Sequence, residues 1–189
     1  LMVIWQAGRA HLSVLLSEAG LPEDVFLNDI RQTHPTRVPG IAVFLSGNAA
    51  GIPRTLLHNY KHNQVLHQTV LLVTVHGERV PTVAPEEQLE VKEIGEGLYR
   101  AAVRYGFSQK PDLPAILSRI DPKLFPVDPM RTSYFLGRET LIVADTSRFR
   151  LSTWTRRIFA FMSRNALDAA LFFHLPPNRV VEVGVQIEF

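Results

Sequence analysis

Hydrophobic positions along this chain change their period several times, and each change marks an element. Trp5, Leu12, Leu15 and Leu16 fall on a rough helical stripe from Trp5 to Glu18, which Gly20 and Pro22 stop. A short second helical turn is predicted from Glu23 to Arg31, and His34, Pro35 and Pro39 read as a linker. At Ile41 the pattern switches. The run Ile41–Ser46 (IAVFLS) is short and unbroken, as expected of a strand buried on both faces. Gly47, Asn48, Gly51 and Pro53 read as a loop, and a helix follows from Arg54 to Asn63 with Pro53 near its start. Val70–Val75 (VLLVTV) reads as a second buried strand. Strand, helix and strand within about 35 residues make a βαβ unit, whose default is right-handed and parallel.

The next stretch alternates instead. Leu89, Val91, Ile94, Leu98, Tyr99 and Val103 are interleaved with Glu, Lys and Arg, and Gly95 and Gly97 suit the turn of an antiparallel hairpin. Asp112–Ile120 is a short helix with Pro114 in its first turn. Ser133–Gly137 and Thr140–Ala144 read as two short strands separated by Arg138 and Glu139. Arg156–Phe173 is the longest helical pattern, ended by Pro176 and Pro177. From Arg179 to Phe189, Val181, Val183, Val185, Ile187 and Phe189 alternate with Glu182, Gln186 and Glu188, a strand with one wet face. The predicted fold is α/β: a mixed sheet with a βαβ unit near the N-terminal side, an antiparallel hairpin and flanking helices. Residues 1–36 read as a helical arm and residues 37–189 as the α/β domain.

Composition narrows the function. The 189 residues are 46% hydrophobic and 20% charged, ordinary for a folded protein with a sizeable core. Twenty Lys and Arg against eighteen Asp and Glu leave a net charge of +2, so nothing in the balance calls for nucleic acid as a partner. There is no cysteine, which excludes disulfides, thiolate nucleophiles and Cys-containing zinc sites and fits a reducing compartment. The two longest stretches without formal charge, Val38–Pro53 and His62–Gly77, are each too interrupted for a membrane span, which needs about 20 mostly apolar residues. No signal peptide is evident, and the opening Leu1-Met2 reads as part of a longer protein.

Candidate chemistry is sparse. His58 and His62 stand one helical turn apart, a spacing that can share a metal ion. The segment HNYKH lacks the glutamate of a zinc protease, however, and packing is the plainer reading, so no metal is assigned. Ser46-Gly47-Asn48-Ala49-Ala50-Gly51 joins a strand end to a helix start, where backbone N–H groups favour an anion. It carries neither a Walker lysine nor the full dinucleotide fingerprint, so a tight turn and a phosphate cradle both remain open. There is no Gly-x-Ser-x-Gly elbow, and Glu86–Glu87 and Glu93–Glu96 read as solvated charge, so no catalytic residue is assigned.

Several segments, in order and over nearly the whole chain, resemble the cytoplasmic C-terminal region of Kup-type (KUP/HAK/KT) potassium uptake permeases. They are Arg37–Leu45 (RVPGIAVFL), Leu57–Asn63 (LHNYKHN) with Val65-Leu66-His67, Thr132–Phe135, and Gly137-Arg138-Glu139. Arg164-Asn165-Ala166 and Leu175–Glu182 with Gly184 belong to the same set, and Trp5, Gly8 and Arg9 resemble the stretch after that family's last membrane helix. No one motif is chemically diagnostic; the ordered set is specific.

The resemblance implies a domain on the cytoplasmic face of the bacterial inner membrane. Its parent would carry potassium inward with protons through membrane helices that this chain lacks. The fragment itself would be soluble, with no transport, no enzymatic activity and no required cofactor. Its partners would be its own transmembrane part and a second copy. One role is regulation and assembly, with the arm around Trp5 and Leu12, the aromatic helix bearing Phe159, and the closing strand ending at Phe189 as contact surfaces. The alternative is a sensor for a nucleotide or cyclic dinucleotide, with Ser46, Gly47, Asn48, Gly51, Arg54 and Arg179 as ligand-binding residues.

Overall fold

The computed structural model describes residues 21–47, 50–142 and 169–188. Its centre is a six-stranded sheet formed by β1 (Thr36–Ser46), β2 (Val65–Glu78), β3 (Leu89–Gly95), β4 (Leu98–Gly106), β5 (Thr132–Ile142) and β6 (Val180–Glu188). The order across the sheet is β3-β4-β2-β1-β5-β6. Every neighbouring pair is parallel except β3 with β4. The mixed α/β architecture, its βαβ unit and its hairpin therefore agree with the sequence reading.

Period-two alternation explains why the central strands are apolar throughout. On β1 and β2, Ala42, Phe44, Val70 and Leu72 face one layer, and Ile41, Val43, Leu71 and Val73 face the other. The first layer holds helices α1 (Glu23–Thr33) and α2 (Arg54–Asn63), which contribute Phe26, Leu27, Ile30 and Leu56 to that core. The second holds α3 (Leu113–Leu117) and the segment through Phe125, with Leu113, Ile116, Leu117 and Ile120 buried. Asp112 caps α3, its Oδ1 accepting from the Ala115 N–H at 2.9 Å. A short helix, α4 (Ala169–Phe172), packs beside it, and the Leu113 N–H donates to the Phe173 carbonyl. Sheet, helices and loops make three layers, the usual answer to a sheet with two apolar faces.

The hairpin turns on Glu96 and Gly97, with φ of 53° and 74°. A two-residue turn with both φ positive matches the twist of its flanking strands, which is why glycine marks it.

Three boundaries differ from the sequence reading. The supposed linker through Pro39 belongs to β1, which starts at Thr36 and pairs with β2 from Val65. A proline is tolerated there because the ladder breaks between Val38 and Ile41, and β5 joins β1 only from Ile41 onward. At the break, Gly40 has φ +105°, and a Cβ there would stand 2.5 Å from the Arg131 carbonyl oxygen. Second, β2 runs well beyond Val70–Val75 at both ends, because Val65–His67 pair with β1 and His76–Glu78 pair with β4. Third, Arg138 and Glu139 do not divide two strands: β5 runs unbroken through them, in register with Gly184 and Val185 of β6. Of the long helical pattern 156–173, only α4 falls within the described residues; the arm helix 5–18 lies outside them.

Candidate functional site

The most organised polar structure surrounds α1, which is fastened to the sheet at both ends. At its start, Leu21 and Ile52 form an isolated antiparallel bridge, and the Ile52 N–H donates to the Leu21 carbonyl at 2.8 Å. Arg100 reaches the same place from β4. It lies on the face of Leu98, in register with Leu72, hence on the α1 side of the sheet. Its Nη2 is ion-paired with the Glu23 carboxylate and donates to the Gly51 carbonyl at 2.8 Å. The Arg100 side chain is only 17% exposed, and its Nη1 is buried with no partner among the described residues. This guanidinium holds the start of α1 and the β1–α2 loop together.

The other end of α1 is held by a separate network. Arg31 Nε donates to Glu96 Oε1 at 2.8 Å, joining α1 to the hairpin turn. Arg37, on β1, donates to the Glu96 carbonyl at 2.8 Å and to the His67 carbonyl at 3.0 Å. Burial holds its guanidinium below the usual value, an effect partly offset by Glu96 and Tyr60. The Tyr60 hydroxyl of α2 donates to Asp29 Oδ2 at 2.9 Å and lies 2.7 Å from Thr33 Oγ1. Tyr60 also packs edge-on against Phe26, with ring centroids 5.4 Å apart. Burial pushes its hydroxyl pKa up. Beneath this network His67 meets the Phe135 ring edge-on, its Nδ1 is buried without a partner among the described residues, and burial pushes its imidazole pKa down.

The residues selected from sequence are placed as follows. Ser46 ends β1, Gly47 and Gly51 lie in the loop, and Arg54 opens α2, so these four share one strand-to-helix connection. A Cβ at Gly47 would meet nothing within 4 Å, so the loop is open at that point. Arg179 is elsewhere. Val180 beside it is in register with Tyr134, and Tyr134 with Val43. That puts Val180 two strands over and three residues short of Ser46, about 14 Å away by strand geometry. Asn48, Trp5, Leu12, Phe159 and Phe189 lie outside the described residues. The His58 and His62 rings are 5.5 Å apart on the exposed side of α2, and among the described residues no three His, Asp or Glu side chains converge as a metal site.

Sequence reasoning gives Arg100 and Glu23 no site role, and Arg37 enters only as the first residue of the family-like segment Arg37–Leu45. The one signal for Arg100 was its place between Leu98 and Ala102 on a single strand face, a charge where period two expects an apolar residue. The contacts of Glu23 and Arg37 carry no local signal, because their partners are distant in sequence.

These features define a mixed α/β domain whose first described helix is fastened to the sheet at both ends. Among the described residues, no helix is long and apolar enough to cross a membrane. The family described as "K+ potassium transporter C-terminal domain" matches residues 39–189. The chain belongs to that family. It is 46% identical to the "Probable potassium transport system protein Kup" of Anaeromyxobacter sp. (strain Fw109-5), over 100% of this chain and 29% of that protein. It is 42% identical to "Probable potassium transport system protein Kup 2" of Syntrophobacter fumaroxidans, over 98% of the chain and 29% of the relative. With "Probable potassium transport system protein Kup 1" of Geobacter sulfurreducens it shares 44% identity, over 99% of the chain and 30% of the relative. The chain thus spans under a third of the length of these curated relatives. No solved structure gives a significant match.

Proposed function

We propose that this chain is the regulatory and assembly domain of a Kup-type potassium transporter, lying on the cytoplasmic face of the bacterial inner membrane. In this reading the membrane part carries potassium with protons, and this domain neither transports nor catalyses. A second copy of the domain is its other partner. The observation that supports a coupling role is the double anchoring of α1. Glu23 is tied to Arg100 and Arg31 to Glu96, so a displacement of the chain at Leu21 is passed to the whole sheet rather than absorbed in a loose hinge.

The test replaces the C-terminal portion of the Anaeromyxobacter relative with this chain and measures rubidium uptake in a bacterium lacking its own potassium uptake systems. The graft is expected to support uptake, and Arg100→Ala within it to change the rate about five-fold at unchanged membrane abundance. The 189-residue chain alone in liposomes is expected to move no rubidium. Uptake by the chain alone, or grafts indifferent to Arg100→Ala, overturns the reading.

A second reading, a nucleotide or cyclic-dinucleotide sensor, is favoured by the position of the Ser46–Gly51 loop. In the strand order, β2 lies on one flank of β1 and β6 on the opposite flank of β5. The loop therefore stands at the point where strand order reverses, which is where open α/β sheets bind ligands. Calorimetric titration with cyclic dinucleotides, AMP and ATP tests it. Micromolar binding lost in Gly47→Val supports a sensor; no heat across the panel rejects it.

A further inference from the structure

Helix α2 meets the sheet through Leu56, which is fully buried, and turns His58 and His62 to solvent, both exposed. The sequence alone favours packing for these two histidines. The structure gives them no such use. Asn63 Nδ2 donates to Asn59 Oδ1 at 2.7 Å, so the neighbouring asparagines serve each other. Among the described residues, the two histidines make no hydrogen bond or ion pair, and their ring contact is with each other.

Their geometry is that of a chelating pair. They stand one helical turn apart, with ring centroids separated by 5.5 Å and planes tilted by 38°. Two imidazoles on one tetrahedral ion, each bound at about 2.0–2.1 Å, set their centroids about 5 Å apart. Rotation of two exposed side chains reaches that arrangement, and the helix need not move. We infer that His58 and His62 form a surface site for a divalent transition-metal ion of the zinc and copper class, with water in the open positions.

The donor set selects that class. Imidazole suits zinc, copper and nickel, whereas magnesium and calcium take oxygen ligands. The segment Arg54–Asn63 contains no Asp or Glu that would supply them. Position on the helix adds to the attraction. His62 stands one residue before α2 ends, where the negative end of the helix macrodipole favours a cation. Lys61 beside it is exposed, so water screens its charge from the ion. The site is independent of the transport reading above.

The complete 189-residue chain, carrying no histidine tag, is the material for the test. Calorimetric titration with zinc chloride at about pH 7.5, where imidazole is neutral, is expected to show one ion bound per chain. His58→Ala and His62→Ala are each expected to weaken binding about ten-fold or more, because a lone imidazole loses its intramolecular second ligand. Both positions are exposed, so neither change disturbs the core. His76→Ala, at an exposed position on β2, is expected to leave binding unchanged. His62→Asn combined with Asn63→His keeps the number of histidines but moves one to another side of the helix, and is expected to lose the site as well. Zinc should also raise the thermal midpoint of the unaltered chain and not that of the alanine variants. A chain that binds no zinc overturns the inference. So does binding that is indifferent to either alanine variant or to the exchanged pair.

Discussion

Arg100 on β4 is ion-paired with Glu23 at the start of α1, 77 residues earlier in the chain. The same guanidinium nitrogen donates to the Gly51 carbonyl. One strand residue thus holds both the point where the chain enters the domain and the loop after the central strand. A buried guanidinium with one nitrogen unpartnered among the described residues is costly to keep, so its position is held by these two contacts rather than by packing alone.

Arg100→Ala is expected to destabilise the domain by about 1–3 kcal/mol, since the Gly51 carbonyl and the Glu23 carboxylate lose their donor together. The effect should be local as well as global. Hydrogen exchange at the Ile52 N–H, which donates to Leu21, should accelerate more than exchange at Leu72 in the sheet centre. Urea denaturation together with exchange measured by NMR checks both. Equal acceleration at the two sites would mean that Arg100 does not hold the α1 entry in particular.

Gly40→Ala tests the break in β1. The residue lies at φ +105°, and the new methyl would stand 2.5 Å from the Arg131 carbonyl oxygen, a backbone atom that cannot swing aside. The expected loss is about 2 kcal/mol or more, read as a lower thermal midpoint. Gly47→Ala is the control. A Cβ there meets nothing within 4 Å, and the midpoint should hold within about half a kcal/mol.

Acidification should weaken the fold through His67. Burial depresses its folded-state pKa below 6.5, so below that value the unfolded chain binds more protons than the folded one. Its contribution is therefore complete above pH 6.5 and is lost as pH falls toward the folded-state value. Denaturation midpoints from about pH 7.5 to about pH 5.5 measure the slope. His67→Phe, which keeps a ring against Phe135, should make that slope shallower. An unchanged slope would show that His67 does not titrate with folding.

Much of the architecture is legible in local pattern. Ile41–Phe44 and Val70–Val73 are apolar on both faces, so buried central strands follow from composition alone. Gly95 and Gly97 announce the hairpin, because its tight turn, at Glu96 and Gly97, needs positive φ. The limits of β1 and β5 were not legible in the same way. Pro39 and the Arg138–Glu139 pair look like breaks until neighbouring strands supply a register that accommodates them.

Among the candidate site residues, the loop from Ser46 to Arg54 could be picked out because its glycines and proline stand next to one another in sequence. The anchoring of α1 could not, and neither could the distance between Arg179 and that loop. Arg100, Glu23 and Gly51 come from three separate parts of the chain, and Arg179 immediately precedes β6, a strand two places away from β1. Hydrophobic period records which face of each element is buried, because burial acts residue by residue along the chain. Which distant polar groups meet depends on the order and register of the strands, and only the folded sheet decides that.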